Sequence, residues 1–368
     1  MRILFAGGGT GGHLYPGLAI ARAVQRIDPS ARPYFVGARR GIERDVLPAS
    51  GFPHRLLDLH PLYRSRPWQN WRTLVGFASA WREIGALARD EHPAVIVGTG
   101  GYAAAATCAW GAAHGVPVAL QEQNSFAGIT ARLIARVARE IYLGYGEAAR
   151  SLRPRRGAWM EETGNPIEPP PAPRPARDTA RRAWDFPASA RVLLITGGSQ
   201  GARVLNEVVG AWIASGLPDG VHVIWATGKS GFNDYATLES SRVRVRPYLS
   251  PIADAYAAAD VAITRAGALT LAELCAWGIP GILVPLPTAA ADHQTANARA
   301  LVGAGAAREL PQRELTVERL DAEVRSLVGD AARLEAMTRA ALARGRPDAA
   351  ETIAKRVLAL ARSSSARR

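Results

Sequence analysis

The sequence predicts an α/β protein built from two doubly wound, Rossmann-like parallel-sheet domains. Three observations lead there. Short apolar strands alternate with helices along the chain, several strands run into glycine-rich turns that open helices, and a proline-rich segment divides the alternation near its middle. The length of 368 residues, with 48% hydrophobic and 21% charged residues, suits such a pair of globular domains.

In the first half Ile3–Ala6 reads as a strand, Gly7–Gly12 as a loop, Leu14–Arg26 as a helix and Pro33–Val36 as the next strand. Val95–Val97 leads through Gly98–Gly101 to a helix near Ala103–Ala113. Pro117–Leu120 leads through a polar loop, Gln121–Ser125, to a helix ending near Ala138, and Ile141–Leu143 closes the series. Continuous apolar runs, rather than alternating ones, mark strands covered on both faces, as in parallel sheets. From Pro166 to Pro175 six of ten residues are proline, which continues neither a helix nor an inner strand. The domains are therefore expected at 1–165 and 166–345.

The second half repeats the plan. Arg191–Thr196 is a strand, Gly197–Gly201 a loop and Ala202–Ala214 a helix. Further strands are expected at His222–Ala226, Val243–Arg246, Val261–Thr264 and Gly281–Pro285, with helices at Leu269–Trp277 and Asp292–Val302 and two more near the end. Ser363–Arg368 reads as a disordered basic tail. Open parallel sheets bind ligands at the carboxyl ends of their strands, so two such domains are expected to face a central cleft.

The formal charge of +13, from 45 Lys+Arg against 32 Asp+Glu, draws anionic partners. Nucleic acid, anionic lipid and phosphorylated substrates all fit it, and an arginine-rich genome accounts for it equally well. Cys108 and Cys275 show neither disulfide nor metal-ligand spacing, which favours a reducing cytoplasm. No leader is read before the first strand. The apolar stretch Tyr102–Leu120 is broken by His114, Gly115 and Pro117, so it is expected to be buried helix and strand and not a membrane span.

Four turns carry the chemistry: Gly7–His13, Gly98–Tyr102, Gly197–Ala202 and Arg265–Thr270. Glycine admits close backbone approach, and the helix that follows aims free N–H groups and a partial positive charge at an anion. One such turn is equally a packing device, whereas four, two per half, point to phosphate. None matches Gly-x-Gly-x-x-Gly followed by an acidic residue at the right distance, and no Gly-Lys-Ser/Thr follows a glycine loop. Hydride and phosphoryl transfer lose ground accordingly.

Six segments now occur in order: GGGTGGHLYPGLAIA (7–21), GTGGYAAAA (98–106), QEQNSFAGITARLIA (121–135), GGSQGARVLN (197–206), TRAGALTLAEL (264–274) and DHQTANA (292–298). Together they resemble the MurG family, the undecaprenyl-diphospho-muramoylpentapeptide β-N-acetylglucosaminyltransferases of peptidoglycan synthesis, over nearly the whole chain. The resemblance implies the GT-B fold, with a helix near 346–362 packing back on the first domain. It implies inverting transfer of N-acetylglucosamine from UDP-GlcNAc, held by the second domain, to the muramoyl 4-hydroxyl of a lipid-linked acceptor held by the first. For the donor it implies Thr10, Gly11, Gly12, Asn124, Ser199, Gln200, Leu249, Ala268, Leu269, Thr270, Glu273, Gln294 and Asn297. For the acceptor it implies Gly9, His13, Gly100, Gly101 and Tyr102. The family often carries Arg two residues after the linker Asn-Pro, where this chain has Glu168, so no nucleotide role passes to that residue. His293 stands at a position that varies in the family. The resemblance also places the protein at the cytoplasmic face of the inner membrane as a peripheral protein, with an anionic membrane surface and no nucleic acid among its partners.

In-line displacement requires a base for the acceptor hydroxyl, and His13, Glu122 and Glu43 are the candidates. His13 is favoured because a helix N-terminus disfavours the protonated ring; ordering the loop or binding acceptor phosphate are its other readings. Glu122 reads as base, acceptor ligand or helix cap. No Asp-x-Asp occurs, so no metal or other cofactor is expected. The helix starts at Ser199–Ala202 and Ala268–Thr270, with Arg265, are expected to stabilise the leaving UDP.

From Leu62 to Arg82 the residues Trp71, Leu74, Val75, Ala78 and Trp81 recur at helical spacing, with Trp68 and Arg64, Arg66, Arg72 and Arg82 nearby. That pattern suits a headgroup boundary, and equally a helix packed on its own sheet. A UDP-GlcNAc epimerase of the same plan and a non-catalytic UDP-sugar binder are the competing functions.

Overall fold

A computed structural model describes residues 1–59, 70–198 and 201–365, except for the side chains of 70–74 and 365. The chain divides into two compact units, Met1–Glu168 with Asp348–Arg368, and Pro169–Pro347.

The first unit carries β1 (Arg2–Gly7), β2 (Arg32–Ala38), β3 (His54–Leu57), β4 (Val95–Gly100), β5 (Val118–Glu122), β6 (Glu140–Leu143) and β7 (Trp159–Glu162). They form a seven-stranded sheet in the order β3-β2-β1-β4-β5-β6-β7, parallel at every pairing. Its helices are α1 (Gly11–Ile27), α2 (Glu43–Val46), α3 (Asn70–Glu91), α4 (Gly101–Ala113) and α5 (Ile129–Ala135). The second unit carries α6 (Arg177–Ala183), β8 (Arg191–Thr196), α7 (Arg203–Ser215), β9 (Val221–Ala226), α8 (Phe232–Tyr235), β10 (Val243–Arg246) and α9 (Ala253–Ala258). It continues with β11 (Val261–Thr264), α10 (Ala268–Trp277), β12 (Gly281–Leu283), α11 (His293–Gly303), β13 (Ala307–Glu309), α12 (Val317–Val328) and α13 (Ala331–Arg344). Its six strands run β10-β9-β8-β11-β12-β13, again all parallel. The last helix, α14 (Ala349–Ser365), belongs to the first unit.

Strand alternation builds the first core. Ile3 and Phe5 of β1 face a layer containing Leu18 and Val24 of α1 and Ile353 and Val357 of α14. Leu4 and Ala6 face the opposite layer, with Ile84 of α3, Ala104 of α4 and Ile134 of α5. Arg356 of α14 stacks its guanidinium 3.4 Å from the centroid of Trp159 and donates from Nε to Glu140 at 2.8 Å.

Several boundaries differ from the sequence reading. Gln121 and Glu122, expected in a loop, complete β5, where they pair with Tyr142 and Leu143. Their backbones satisfy a sheet ladder that side-chain polarity does not reveal. The expected loop Gly98–Gly101 closes to nothing, since Gly100 ends β4 and Gly101 begins α4. Both hold positive φ, +109° and +78°, a reversal that only glycine makes cheaply. Gly11 and Gly12 belong to α1 and not to the preceding loop. Edge strands β3 and β7 were not read, because neither has a continuous apolar run. Ser363 and Ser364 continue α14: Ser363 Oγ donates to the Leu360 carbonyl at 2.8 Å, and Ser364 is buried. Three helices, not two, follow β13. No helix among the described residues is long and apolar enough to cross a membrane.

Candidate functional site

Both sheets reverse their strand order at the same place, between β1 and β4 and between β8 and β11. In open α/β sheets this switch point is where loops part and ligands bind. The four glycine turns follow these four strands, so each unit carries two of them side by side at its switch point.

In the first unit the turns interlock around Gly8. Its N–H donates to the Gly100 carbonyl at 3.3 Å, and its own carbonyl accepts from His13 Nδ1 at 3.1 Å. A carbonyl only accepts, so Nδ1 carries a proton here. Thr10 Oγ1 lies 3.3 Å from the same Nδ1. The ring lies close over Gly100, where a Cβ would meet Cδ2 at 2.5 Å and Nε2 at 2.9 Å. A Cβ on Gly101 would fall on the Gly8 carbonyl. Tyr102, in the first turn of α4, stands near Gly9, where a Cβ would meet its ring at 3.7 Å. Gly9, His13, Gly100, Gly101 and Tyr102 are thus brought together, with Thr10, Gly11 and Gly12 at the opening of α1.

His13 is held through its backbone as well, for Thr99 Oγ1 donates to its carbonyl at 2.6 Å. A buried amide chain continues from there. Gln123 Nε2 donates to the Thr99 carbonyl at 2.7 Å and to Gln121 Oε1 at 2.6 Å. Gln121 Nε2 donates to Asn165 Oδ1 at 3.1 Å, and Asn165 Nδ2 returns to the Gln123 carbonyl at 2.9 Å. Sequence reading named none of Thr99, Gln121, Gln123 and Asn165 as site residues. The available signal was polar side chains at the end of an apolar strand. Glu122 is buried beside them, and its Oε1 accepts from the Asn124 N–H at 2.9 Å and from Asn124 Nδ2 at 3.2 Å. Burial raises its carboxyl above the usual range, against the lowering effect of N–H donors from Asn124, Gly128 and Gln123.

In the second unit the same place is built from neutral amides. Gln294 Oε1 accepts from the N–H groups of Ala266 at 3.2 Å and Leu286 at 3.0 Å. Asn297, fully buried, donates from Nδ2 to the Ala266 carbonyl at 3.2 Å. Together they hold the turn from which α10 starts, so that Ala268, Leu269 and Thr270 form its first turn. Glu273, one helical turn further on, accepts from Tyr256 Oη at 2.7 Å. Burial raises the Glu273 carboxyl, and the Tyr256 hydrogen bond opposes the rise. Leu249 is buried after β10, next to the exposed Tyr248. His293 opens α11, its Nδ1 donating to the Ala290 carbonyl at 2.7 Å. The preceding Ala291 and Asp292 both adopt left-handed backbone, φ +54° and +53°, a strain that tends to gather at ligand sites. Ser199 and Gln200 lie outside the described residues. On either side of them Gly198 and Gly201 hold positive φ, and a Cβ on Gly201 would press on the Thr227 carbonyl at 2.6 Å.

Arg265 differs from expectation. Its guanidinium is buried, donating to the Val284 carbonyl at 3.1 Å and to Gln312 Oε1 at 2.7 Å, and it ties β11 to β12 and the segment beyond. Glu168 is exposed. Cys108 and Cys275 are free and buried; burial pushes both thiols up, Cys275 to about 12, which leaves neither as a nucleophile. Among the described residues no group of three or more His, Cys, Asp or Glu side chains is gathered as for a metal ion.

Two Rossmann-like units of one strand order, each with paired glycine turns at its switch point, define a nucleotide-sugar glycosyltransferase of the GT-B type. The family models agree: residues 3–143 match the glycosyltransferase family 28 N-terminal domain and residues 192–353 its C-terminal domain. A curated relative from Salinibacter ruber is 41% identical over 98% of this chain and 96% of its own. Another from Moorella thermoacetica is 39% identical over 97% and 98%. Both are called UDP-N-acetylglucosamine–N-acetylmuramyl-(pentapeptide) pyrophosphoryl-undecaprenol N-acetylglucosamine transferase. The crystal structure of Acinetobacter baumannii MurG is similar at TM-score 0.76 and 26% identity, over 97% of this chain and 99% of that one. The chain belongs to this MurG family of N-acetylglucosaminyltransferases.

Proposed function

We propose that the protein transfers N-acetylglucosamine from UDP-GlcNAc to the muramoyl 4-hydroxyl of undecaprenyl-diphospho-muramoylpentapeptide, with inversion at the anomeric carbon. The observation that carries this reading is the pinned His13. With Nδ1–H given to Gly8 and the ring laid on Gly100, Nε2 is the atom that takes the proton of the attacking hydroxyl. Glu122 holds Asn124 in place and is not the base. The acceptor sits at Gly9, Gly100, Gly101 and Tyr102. The second unit holds the donor, with Glu273 on the ribose, Leu249 beside the uracil, Gln294 on the sugar, and the amides at Gly197–Ala202 and Ala268–Thr270 on the diphosphate. Asn297 acts there by holding the Ala266 turn. As bonds to the leaving UDP break, its growing charge falls on helix N-termini and loop amides, so transfer proceeds in EDTA. Family membership at 41% identity favours this over an epimerase or a non-catalytic binder.

UDP release measured with and without the lipid-linked acceptor tests the reading. Release that requires the acceptor is expected. Equal release without it, or conversion of UDP-GlcNAc to an epimer, sinks it.

The protein works as a peripheral protein on the cytoplasmic face of an anionic membrane. Val75, Phe77 and Ala78 of α3 are exposed, and in the same helical layer Ile129 and Leu133 of α5 are 52% and 53% exposed beside Arg132, Arg136 and Arg139. Apolar and arginine side chains so mixed suit the headgroup boundary. Trp68, Trp71 and Arg64, Arg66 and Arg72 lie outside the described side chains. Anionic liposomes are expected to retain the protein at low salt and release it at high salt.

A further inference from the structure

Glu43 is the strangest group near the first unit's switch point. It is completely buried at the start of α2, although glutamate is rarely buried without a partner. Its Oε1 accepts the Ala38 N–H at 3.1 Å, at the end of β2. Its Oε2 has no hydrogen-bond partner among the described residues. Three glycines make room for the carboxyl: a Cβ on Gly8 or on Gly41 would fall inside it, and a Cβ on Gly37 would meet Cγ at 2.9 Å.

An orphaned buried oxygen costs stability, and a site built around one needs a reason. The reason lies above it. Gly8 rests with its Cα on this carboxyl, its N–H on Gly100 and its carbonyl on His13 Nδ1. Gly101 closes over the Gly8 carbonyl from the other side. The Gly8 peptide is thereby wedged between Glu43 below and the β4–α4 turn above, and its carbonyl, which cannot itself donate, accepts from His13 Nδ1. A flat carboxyl fits beneath three Cβ-less residues and also satisfies the Ala38 amide, which a branched apolar side chain does not.

We propose that Glu43 is a positioning residue for His13: its buried carboxyl is the floor that sets Gly8, and Gly8 fixes the tautomer and aim of the imidazole. This rests on the reading of His13 as the base. Glu43 itself is removed from the candidate bases, because nothing reaches its carboxyl beneath the loop.

The test combines kinetics with selective 15N labelling of histidine in the full chain, the His13 signals being assigned by their loss in His13→Gln. Glu43→Ala is expected to lower kcat about 10²-fold, the scale of a catalytic group displaced by about an ångström, while KM for UDP-GlcNAc stays within about twofold. The protonated Nδ1 signal of His13 should move toward a mixture of tautomers. Glu43→Gln keeps the shape and should restore kcat to within about threefold of the parent and the tautomer signal with it. Should Glu43→Ala not fold, Glu43→Asp carries the test, since it withdraws the carboxyl from Gly8 by one methylene and should shift both readouts the same way. A folded Glu43→Ala or Glu43→Asp chain with parental kcat and an unmoved Nδ1 signal overturns the proposal. So does Glu43→Gln as impaired as Glu43→Ala, since charge and not shape then acts. If His13→Gln retains kcat, the base reading fails by itself, and the nitrogen signal still reports whether Glu43 holds the ring.

Discussion

At the switch point of the first unit a histidine ring, two glycine turns and a buried carboxyl crowd together; at that of the second, two neutral amides hold a bare turn and a helix N-terminus. The strand order beneath them is the same. What differs is which groups the polar side chains hold. In the first unit Thr99, Gly8 and Gly100 fix a titratable ring by its carbonyl, its Nδ1–H and its face. In the second, Gln294 and Asn297 fix backbone, at Ala266 and Leu286. On the proposed reading, one scaffold prepares a proton acceptor and its repeat prepares a surface of amides for an anion. Fold alone does not distinguish these roles, which belong to the residues set on it.

The comparison breaks most visibly at His13. His13→Ala should cut kcat by about 10²–10⁴-fold with KM for UDP-GlcNAc nearly unchanged; steady-state assays with the lipid-linked acceptor decide it, and a shift in donor KM alone would put the histidine with the donor. The reverse pattern is expected for Glu273→Ala, a rise in donor KM of about tenfold or more, for loss of the proposed acceptor of ribose hydroxyls. Isothermal titration with UDP gives the same answer without turnover.

A third test uses pH. Burial raises the carboxyls of both Glu122 and Glu273. A raised folded-state value means that the fold binds the proton more tightly than the open chain does. The stabilisation is full below the ordinary carboxylate value and fades as pH rises through the raised one. Thermal melts of Glu122→Gln beside the parent, from acid to neutral pH, should therefore show the parent losing Tm relative to the mutant as pH rises. An identical slope in the mutant would mean that Glu122 is not held as described. The smallest effect belongs to the last helix. Arg356→Ala removes the stack on Trp159 and the bond to Glu140, and should cost about 1 kcal/mol, a few degrees of Tm, with kcat unchanged. Loss of donor binding there would show that α14 serves more than the first unit.

Much of this was legible in order of residues. Ile3–Ala6, Val95–Val97, Arg191–Thr196 and Val261–Thr264 announce the four central strands by apolar runs alone, because strands buried on both faces have no polar alternation to hide them. The edge strands His54–Leu57 and Trp159–Glu162 were invisible, since an edge needs only partial burial and their polar residues look like loop. Gln121 was misplaced for the opposite reason. Its side chain is polar yet lies wholly inside, satisfied by Gln123 and Asn165, which stand 2 and 44 residues away.

Glycine and helix spacing by themselves determined that two strand-to-helix turns would exist in each half, because a tight turn that opens a helix is written locally. Only the tertiary structure decided that these turns are neighbours at a reversal of strand order, that Glu43 lies under one of them, and that Arg265 faces carbonyls. Those facts depend on which strands pair and on which side chains find hydrogen-bond partners once water is excluded, and neither is a property of any short stretch of chain.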